Sequence, residues 1–83
     1  MITVNNKEEL KALINQRIEE QGPNCDLNDI DVSGIADMSF LFYNTEFDGD
    51  ISQWNTSNAY EQSCMFYESV LELNDKIPTW YRG

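Results

Sequence analysis

The sequence predicts an α+β fold in which about two to two and a half strand–turn–helix coils stack into a short solenoid behind an N-terminal capping helix. Two observations lead to this prediction. A stretch of 17 residues, LNDIDVSGIADMSFLFY at 27–43, returns 24 positions later as ISQWNTSNAYEQSCMFY at 51–67. The segment before the first copy has the apolar spacing of an amphipathic helix and is followed by residues that end a helix.

The internal repeat organises the whole chain. Identical residues occupy both copies at Ser33/Ser57, Ser39/Ser63, Phe42/Phe66 and Tyr43/Tyr67. A partial third copy follows, because FDGDISQW at 47–54 is similar to LNDKIPTW at 73–80. A period in the mid-twenties is typical of leucine-rich repeats, and stacked copies bury apolar sides that one copy leaves open. We expect a single domain over 1–83, divided into a capping helix in 1–23, repeats in 24–72, and a partial repeat with a C-terminal cap in 73–83.

The N-terminal helix is predicted over residues 6–21. Asn6 is a favourable N-cap, and Glu9 stands three residues later, where a capping box has Glu or Gln. Gly22 can adopt a left-handed conformation at the C-terminal end, and Pro23 prevents continuation of the helix. One apolar stripe is formed by Leu10, Leu13, Ile14 and Ile18. We expect this stripe to cover the open end of the first copy.

Each copy is predicted to contain a strand, a turn and a short helix. The strands are expected at Asp29–Val32 and Gln53–Thr56, and the helices at 36–43 and 60–67. The apolar residues spaced as on helices are Met38, Leu41 and Phe42, then Cys64, Met65 and Tyr67. Residues 2–4 form a short strand or a leading arm. The aromatic residues expected in the core are Phe40, Phe42, Phe47, Trp54, Phe66 and Trp80.

The repeat resembles that of a known family. The phrases IDVSGIADMSFLFYNTEFDGDISQWNTSN and MFYES are similar to the units of BspA-like leucine-rich-repeat proteins, which run close to F-N-x-D-I-S-x-W-[DN]-[TV]-S-[NK]-V-x-x-M-x-x-M-F. Gln62 departs from the Met of that pattern, as does the chain after Trp80, which suggests a terminating cap. The family consists mostly of surface arrays that bind other proteins. The resemblance therefore implies a binding scaffold without catalytic residues.

Charge is the most unusual feature of the composition. Fifteen carboxylates face five cations, giving a net charge of −10, and no Lys or Arg lies between Ile18 and Asp75. Such a field either keeps the protein soluble or raises association rates with a basic partner while disfavouring nucleic acid. Side chains between the apolar strand positions should point to an exposed face, which solenoids use for binding. The residues predicted to bind a partner are Asp29, Asp31, Asn55, Glu46, Asp48, Asp50, Glu61, Glu68 and Glu72.

The sequence contains few residues that could support catalysis or bind a cofactor. The chain has no histidine, so it lacks the usual general base and the commonest metal ligand. The carboxylate pairs Asp29/Asp31 and Asp48/Asp50 do not match a calcium loop, which needs Gly at its sixth and Glu at its twelfth position. Trp54 and Trp80 replace Ile30 in the repeat frame, which favours core packing over a sugar platform. We expect no enzyme activity, no metal site and no cofactor.

Two functional hypotheses from different classes remain. The first is a cytoplasmic, monomeric inhibitor that occupies the basic site of a nucleic-acid-binding protein, as a phage anti-defence or anti-CRISPR protein would, without binding nucleic acid or membrane itself. It agrees with the absence of an export signal in MITVNNKEEL. The second is a BspA-like surface or adhesion module that binds through shape and aromatic residues. Cys25 and Cys64 are expected to be reduced, partly buried thiols.

Overall fold

Two short strands and two helices are the regular elements of the computed structural model, which describes residues 1–81. In chain order they are β1 (Ile2–Thr3), α1 (Lys7–Gln21), β2 (Ile30–Asp31) and α2 (Val70–Leu73). Turns and extended backbone make up the rest of the described chain, which fills a body of 27 × 26 × 20 Å. The predicted α+β class is confirmed at this level.

Helix α1 begins and ends close to where the sequence predicts. The side chain of Asn6, whose backbone is extended, accepts a hydrogen bond from the Glu9 N–H at 2.9 Å. The Glu9 carboxylate in turn accepts from the N–H of Asn5 at 2.8 Å, one residue before the expected partner. At the other end Gly22 adopts φ 91° and donates to the Ile18 carbonyl at 2.9 Å. The apolar stripe faces the core, with Leu10 and Ile14 buried and Leu13 and Ile18 partly buried.

Strands β1 and β2 form a two-stranded parallel sheet. The paired residues are Ile2 with Ile30 and Thr3 with Asp31. The N–H groups of Ile2 and Val4 donate to the carbonyls of Asp29 and Asp31, at 2.9 and 3.3 Å. The N-terminal strand is therefore present and lies along the first copy. The predicted strand at 53–56 is wrong, since that segment begins in a turn and continues as backbone without regular secondary structure.

The two copies run side by side in parallel, with equivalent residues 24 positions apart. Isolated bridges join Asp26 to Asp50 and Asp37 to Glu61. Beyond the second bridge, N–H groups of the first copy donate to carbonyls of the second at 2.8 to 3.1 Å, from Met38 to Glu61, Phe40 to Ser63, Phe42 to Met65 and Asn44 to Tyr67. Side chains that match in the sequence repeat therefore lie next to one another in space.

The helices predicted at 36–43 and 60–67 are wrong. Neither segment contains a helix, and consecutive turns at 39–44 and 63–68 place four residues in the left-handed region. These residues are Phe40 (φ 58°), Asn44 (φ 52°), Cys64 (φ 54°) and Glu68 (φ 58°). A left-handed residue at every fourth position interrupts a right-handed helix. Turns with hydrogen bonds three residues apart, such as Leu41 N–H to Met38 carbonyl at 3.2 Å, give the apolar residues a spacing close to that of a helix.

Aromatic rings form the centre of the core. The Phe42 ring stacks on Phe47, Phe66 and Trp54, with centroids 5.1, 5.4 and 5.8 Å away. Trp54 and Ile30 are both buried at matching positions, as predicted. Phe40, which the sequence predicts in the core, is instead exposed. Cys64 and Tyr67, which helical spacing groups with the buried Met65, are also exposed, because their segment is not a helix.

The C-terminal segment closes the second copy as the capping helix closes the first. The indole N–H of Trp54 donates to the Leu27 carbonyl at 2.8 Å, and that of Trp80 donates to the Ile51 carbonyl at 3.0 Å. The two indoles stack at 6.2 Å. Trp80 therefore repeats the role of Trp54 one copy further along, as the partial third copy predicts. Tyr81 adds an edge-on contact with the Phe66 ring.

Gly49 allows the second copy to approach the first closely. A Cβ atom on this residue would lie 1.8 Å from the Cys25 carbonyl oxygen and under 3 Å from the Phe47 ring. The neighbouring Asp48 N–H donates to the Pro23 carbonyl at 2.6 Å. Only glycine leaves room for this contact, which sets the start of the second copy against the end of the capping region.

Candidate functional site

Several of the side chains predicted to bind a partner also cap turns of their own copy. Asp31 accepts hydrogen bonds from the N–H and hydroxyl of Ser33, at 3.0 and 2.6 Å. Asn55 does the same for Ser57, at 3.1 and 2.7 Å. Short Asp and Asn side chains commonly bond the backbone two residues ahead. Asp and Asn are therefore interchangeable for this turn, and only Asp brings a charge.

Four acidic residues form two in-register pairs, which we call the paired carboxylates: Asp26 with Asp50, and Asp37 with Glu61. Neighbouring strands lie about 4.8 Å apart, and like charges directly opposite each other are destabilising. Each member is held by a turn, because it accepts a hydrogen bond from the N–H two residues ahead at 2.8 to 3.0 Å. The register thus brings negative charges together, and the turns fix them there.

Hydrogen bonding keeps three of these side chains, Asp37, Asp50 and Glu61, ionised. The Ser39 hydroxyl and N–H lower the pKa of Asp37, and the Ser63 hydroxyl and N–H lower that of Glu61. The Ser52 N–H lowers the pKa of Asp50. The charge of Asp37 opposes this effect at Glu61, which is the expected result of two carboxylates in register. All three side chains therefore carry their charge at neutral pH.

Some predicted binding residues are already paired with a cation of this chain. Arg17 donates two hydrogen bonds to the Asp29 carboxylate, at 2.9 and 2.7 Å, which lowers the pKa of Asp29. Asp48 lies 3.5 Å from the Lys76 ammonium group. Lys7 similarly lies 3.3 Å from Asp37. The structure places Asp29 and Asp48 in contacts that hold the capping helix and the C-terminal segment to the body.

The remaining predicted carboxylates differ in their contacts. Those of Glu46 and Glu68 neither accept a hydrogen bond nor form an ion pair within residues 1–81. The Glu72 carboxylate accepts the Glu68 N–H at 3.2 Å, while the Ser69 hydroxyl accepts the Glu72 N–H at 3.2 Å. Ser69 and Glu72 thus flank the start of helix α2 as a capping pair. This spacing in the sequence could have predicted the helix.

The sequence analysis missed an exposed aromatic strip, formed by Phe40, Tyr43 and Tyr67. Tyr43 stacks on Tyr67 at 5.8 Å and meets the Phe40 ring edge-on at 5.7 Å. The three side chains are 48%, 42% and 50% exposed. The identity of Tyr43 and Tyr67 in the two copies was the available signal, because equivalent side chains of neighbouring copies stack.

Two adjoining grooves separate helix α1 from the first copy. The larger, of about 560 Å³, is lined by Asn15, Ile18, Glu19, Asn44, Thr45 and Glu46. The smaller, of about 240 Å³, shares Asn15 and Thr45 with it and reaches Phe40 and Tyr43 of the aromatic strip, with Lys11 at its side. The grooves and the aromatic strip thus form one open surface whose larger end is acidic.

The thiols and the acidic residues provide no further reactive centre in the described chain. Cys25 is buried, which raises its pKa and lowers its reactivity, whereas Cys64 is exposed, so the prediction of partial burial is wrong for Cys64. Over residues 1–81, no three His, Cys, Asp or Glu side chains are arranged to hold a metal ion. None of the helices in this part of the chain has both the length and the apolar character needed to cross a membrane.

Comparison with known proteins identifies the family. Neither the curated proteins nor the solved structures contain a match to this chain. Residues 8–82 match a family described as Mycoplasma protein of unknown function, DUF285. The family is associated with BspA-like surface repeat proteins, which agrees in broad terms with the resemblance found in the repeat. Because the match spans the capping helix and both copies, the chain belongs to the DUF285 family.

Proposed function

We propose that this chain is a non-enzymatic protein-binding module, built as a short leucine-rich-repeat-like solenoid, whose carboxylates occupy a basic surface of a partner protein. A nucleic-acid-binding site is the kind of surface that fits, because it is built to receive rows of negative charge. The module would inhibit its partner by covering that surface. The partner-binding residues remain those predicted from the sequence, with the paired carboxylates Asp26 and Asp37 added.

The 24-residue register between the copies supports a solenoid. Backbone hydrogen bonds join the copies in parallel, and the Trp80 indole repeats the Trp54 contact on the next copy. In repeat proteins each unit contacts mainly its neighbours, and terminal units differ because they cover the open ends. Helix α1 and the C-terminal segment act as the two covers here.

The paired carboxylates are the observation that carries the binding proposal. Like charges in register repel each other, and the charge of Asp37 opposes the lowering of the Glu61 pKa by Ser63, while Lys7, 3.3 Å from Asp37, offsets part of this repulsion. Turns bond Asp37, Asp50 and Glu61 and lower their pKa values, so the repulsion is not relieved by proton uptake on these three at neutral pH. A cationic partner relieves it directly, which gives such a partner an advantage over a neutral one.

The test removes charge without removing the turns. A triple variant, Asp31→Asn with Asp50→Asn and Glu61→Gln, keeps one acceptor oxygen on each side chain, which is what Asn55 uses to bond the N–H and hydroxyl of Ser57. The matched control, Glu8→Gln with Glu20→Gln and Asp75→Asn, loses the same charge elsewhere. Wild type and both variants are used to capture partners from host lysate at rising salt concentrations. The captured protein is identified by mass spectrometry, and its affinity for each of the three proteins is measured by titration.

We expect the site variant to bind the captured protein about ten-fold more weakly at low salt, and the control variant to bind like wild type. Wild-type binding should weaken as salt rises, because exposed charges are screened over about 8 Å at physiological ionic strength. Salt-independent binding, or equal losses in both variants, would contradict the proposal. Displacement of nucleic acid from the partner tests the inhibitory role.

The alternative is a BspA-like surface or adhesion module that recognises proteins by shape and aromatic contact. The exposed aromatic strip favours it, since half-exposed Tyr and Phe rings are typical of binding surfaces. Capture that persists at high salt and is lost on changing Tyr43 or Tyr67 would support this alternative.

A further inference from the structure

We infer that the aromatic strip, together with the acidic groove beside it, binds an arginine side chain of the partner protein. This inference rests on the proposed function, because it specifies which chemical group of a basic partner is recognised and where. Phe40, Tyr43 and Tyr67 supply the stacking surface, and Glu46 and Glu68 supply the negative charge.

The exposed rings contact one another, and hydrogen bonds fix the backbone that carries them. The Tyr43 N–H donates to the Phe40 carbonyl at 3.2 Å, and the Asn44 N–H donates to the Tyr67 carbonyl at 3.0 Å. The first bond closes a turn within the first copy, and the second joins the first copy to the second. A surface whose rings are already ordered loses little conformational freedom on binding.

Keeping Phe40 in this position is costly for the free chain. Its backbone adopts φ 58°, which is rare for a bulky side chain, and its ring is about half exposed to water. The equivalent residue of the second copy, Cys64, is smaller and also exposed. The turn therefore does not require an aromatic residue here, and an arginine side chain of a partner that stacks on the ring accounts for the presence of one.

The charge around the strip selects a cation. Glu46 lies in the larger groove with Asn44 and Thr45, and Glu68 follows Tyr67 in the chain. The carboxylates of Glu46 and Glu68 have no partner within residues 1–81. Lys11 lines the smaller groove. Its positive charge repels a cation, which is therefore attracted toward Glu46 and Glu68. A second copy of this chain would instead bring a net charge of −10 to the same surface.

A guanidinium group fits better than an ammonium group. Its planar shape can lie on a tyrosine ring while its N–H groups bond a carboxylate in the same plane. Its carbon stem can cover Ile18 at the base of the groove, which is partly exposed. The surface therefore distinguishes arginine from lysine. Attraction between net charges alone would bind both equally well.

The test compares two synthetic peptides of equal charge, one with arginine at every cationic position and one with lysine at the same positions. Binding to the full chain is followed by fluorescence anisotropy. Wild type should bind the arginine peptide about three- to five-fold more tightly than the lysine peptide. The double variant Tyr43→Leu with Tyr67→Leu should lose this preference. Tyr60→Leu is the matched control, since Tyr60 is 85% exposed and lies outside the aromatic strip.

The results of this test distinguish failure of the arginine site from failure of the proposed function. Equal binding of both peptides to wild type, or a preference that survives in the double variant, overturns the arginine site. If peptide binding then still depends on salt and is weaker in the Asp31→Asn, Asp50→Asn and Glu61→Gln triple variant, the arginine site is rejected and the proposed function stands. If wild type binds neither peptide, both are overturned. The near-ultraviolet circular dichroism of each variant verifies that the fold is kept.

Discussion

Phe42 and Phe66 occupy the same position in the two copies, and their rings stack with centroids 5.4 Å apart and planes inclined by 4°. Both side chains are fully buried. This contact joins the copies through side chains in the core, while hydrogen bonds join them through the backbone. The stability of the whole chain should therefore depend on this pair.

Replacing Phe66 tests that dependence. Phe66→Ala should lower the free energy of unfolding by about 3 to 5 kcal/mol, because it leaves a cavity against Phe42. Phe66→Leu, which stays folded more readily, should cost about 1 kcal/mol or more. Urea unfolding followed by tryptophan fluorescence measures both. Tyr60→Ala serves as the exposed control, and a Phe66→Leu variant as stable as wild type would show that the stack contributes little.

Two glycines give a matched comparison of backbone space. Gly49→Ala should destabilise the protein by about 3 kcal/mol or more, because the new Cβ would overlap the Cys25 carbonyl oxygen. Gly34 has no atom within 4 Å of the corresponding position, so Gly34→Ala should be neutral or stabilising by up to about 1 kcal/mol. Thermal unfolding of the two variants checks this. Similar midpoints would contradict the close approach at Gly49.

The pair of Arg17 and Asp29 predicts a pH dependence of stability. Arg17 lowers the pKa of Asp29 in the folded state, so the stabilisation is fully present above the ordinary carboxyl pKa of about 4 and is lost as pH falls through the lowered value. Asp29→Asn should cost up to about 1 kcal/mol at neutral pH and nothing in strong acid. Unfolding of both proteins from pH 7 downward measures the difference. A difference that grows on acidification would have the wrong sign.

The left-handed residue Cys64 predicts a stabilising change. Cys64→Gly should raise the free energy of unfolding by up to about 1 kcal/mol, because glycine adopts φ 54° without the penalty of a side chain. Cys64→Val should have the opposite effect, since a branched side chain tolerates this conformation poorly. Cys64→Ala, which keeps a Cβ atom, is the control. Equal stability of the Gly and Val variants would argue against a left-handed turn at this position.

The sequence predicted the parts of the fold that depend on local rules and on the repeat. The capping helix followed from Asn6, Glu9 and Gly22, and the in-register burial of Ile30 and Trp54 followed from the 24-residue period. It failed where the backbone departs from common preferences. Phe40 and Cys64 adopt left-handed conformations that neither residue type favours, so nothing in the sequence marked these segments as turns instead of helices.

The binding residues were less predictable than the fold. Net charge identified the acidic character of the surface, but it could not separate Asp29, which binds Arg17, from Glu46, which has no partner within residues 1–81. That distinction depends on distances between segments far apart in the chain. The aromatic strip was not predicted, because the sequence predicts Phe40 in the core and groups Tyr67 with the apolar residues of a helix that does not form.

The parallel register between the copies also limits how such a chain can change in length. Adding or deleting one residue inside a copy would move each later side chain off its counterpart, turning Phe66 away from Phe42 and breaking the Trp80 contact with Ile51. Adding a whole copy of 24 residues would keep all these matches and lengthen the surface by one more step. Growth by duplication of complete units is therefore tolerated where small insertions are not.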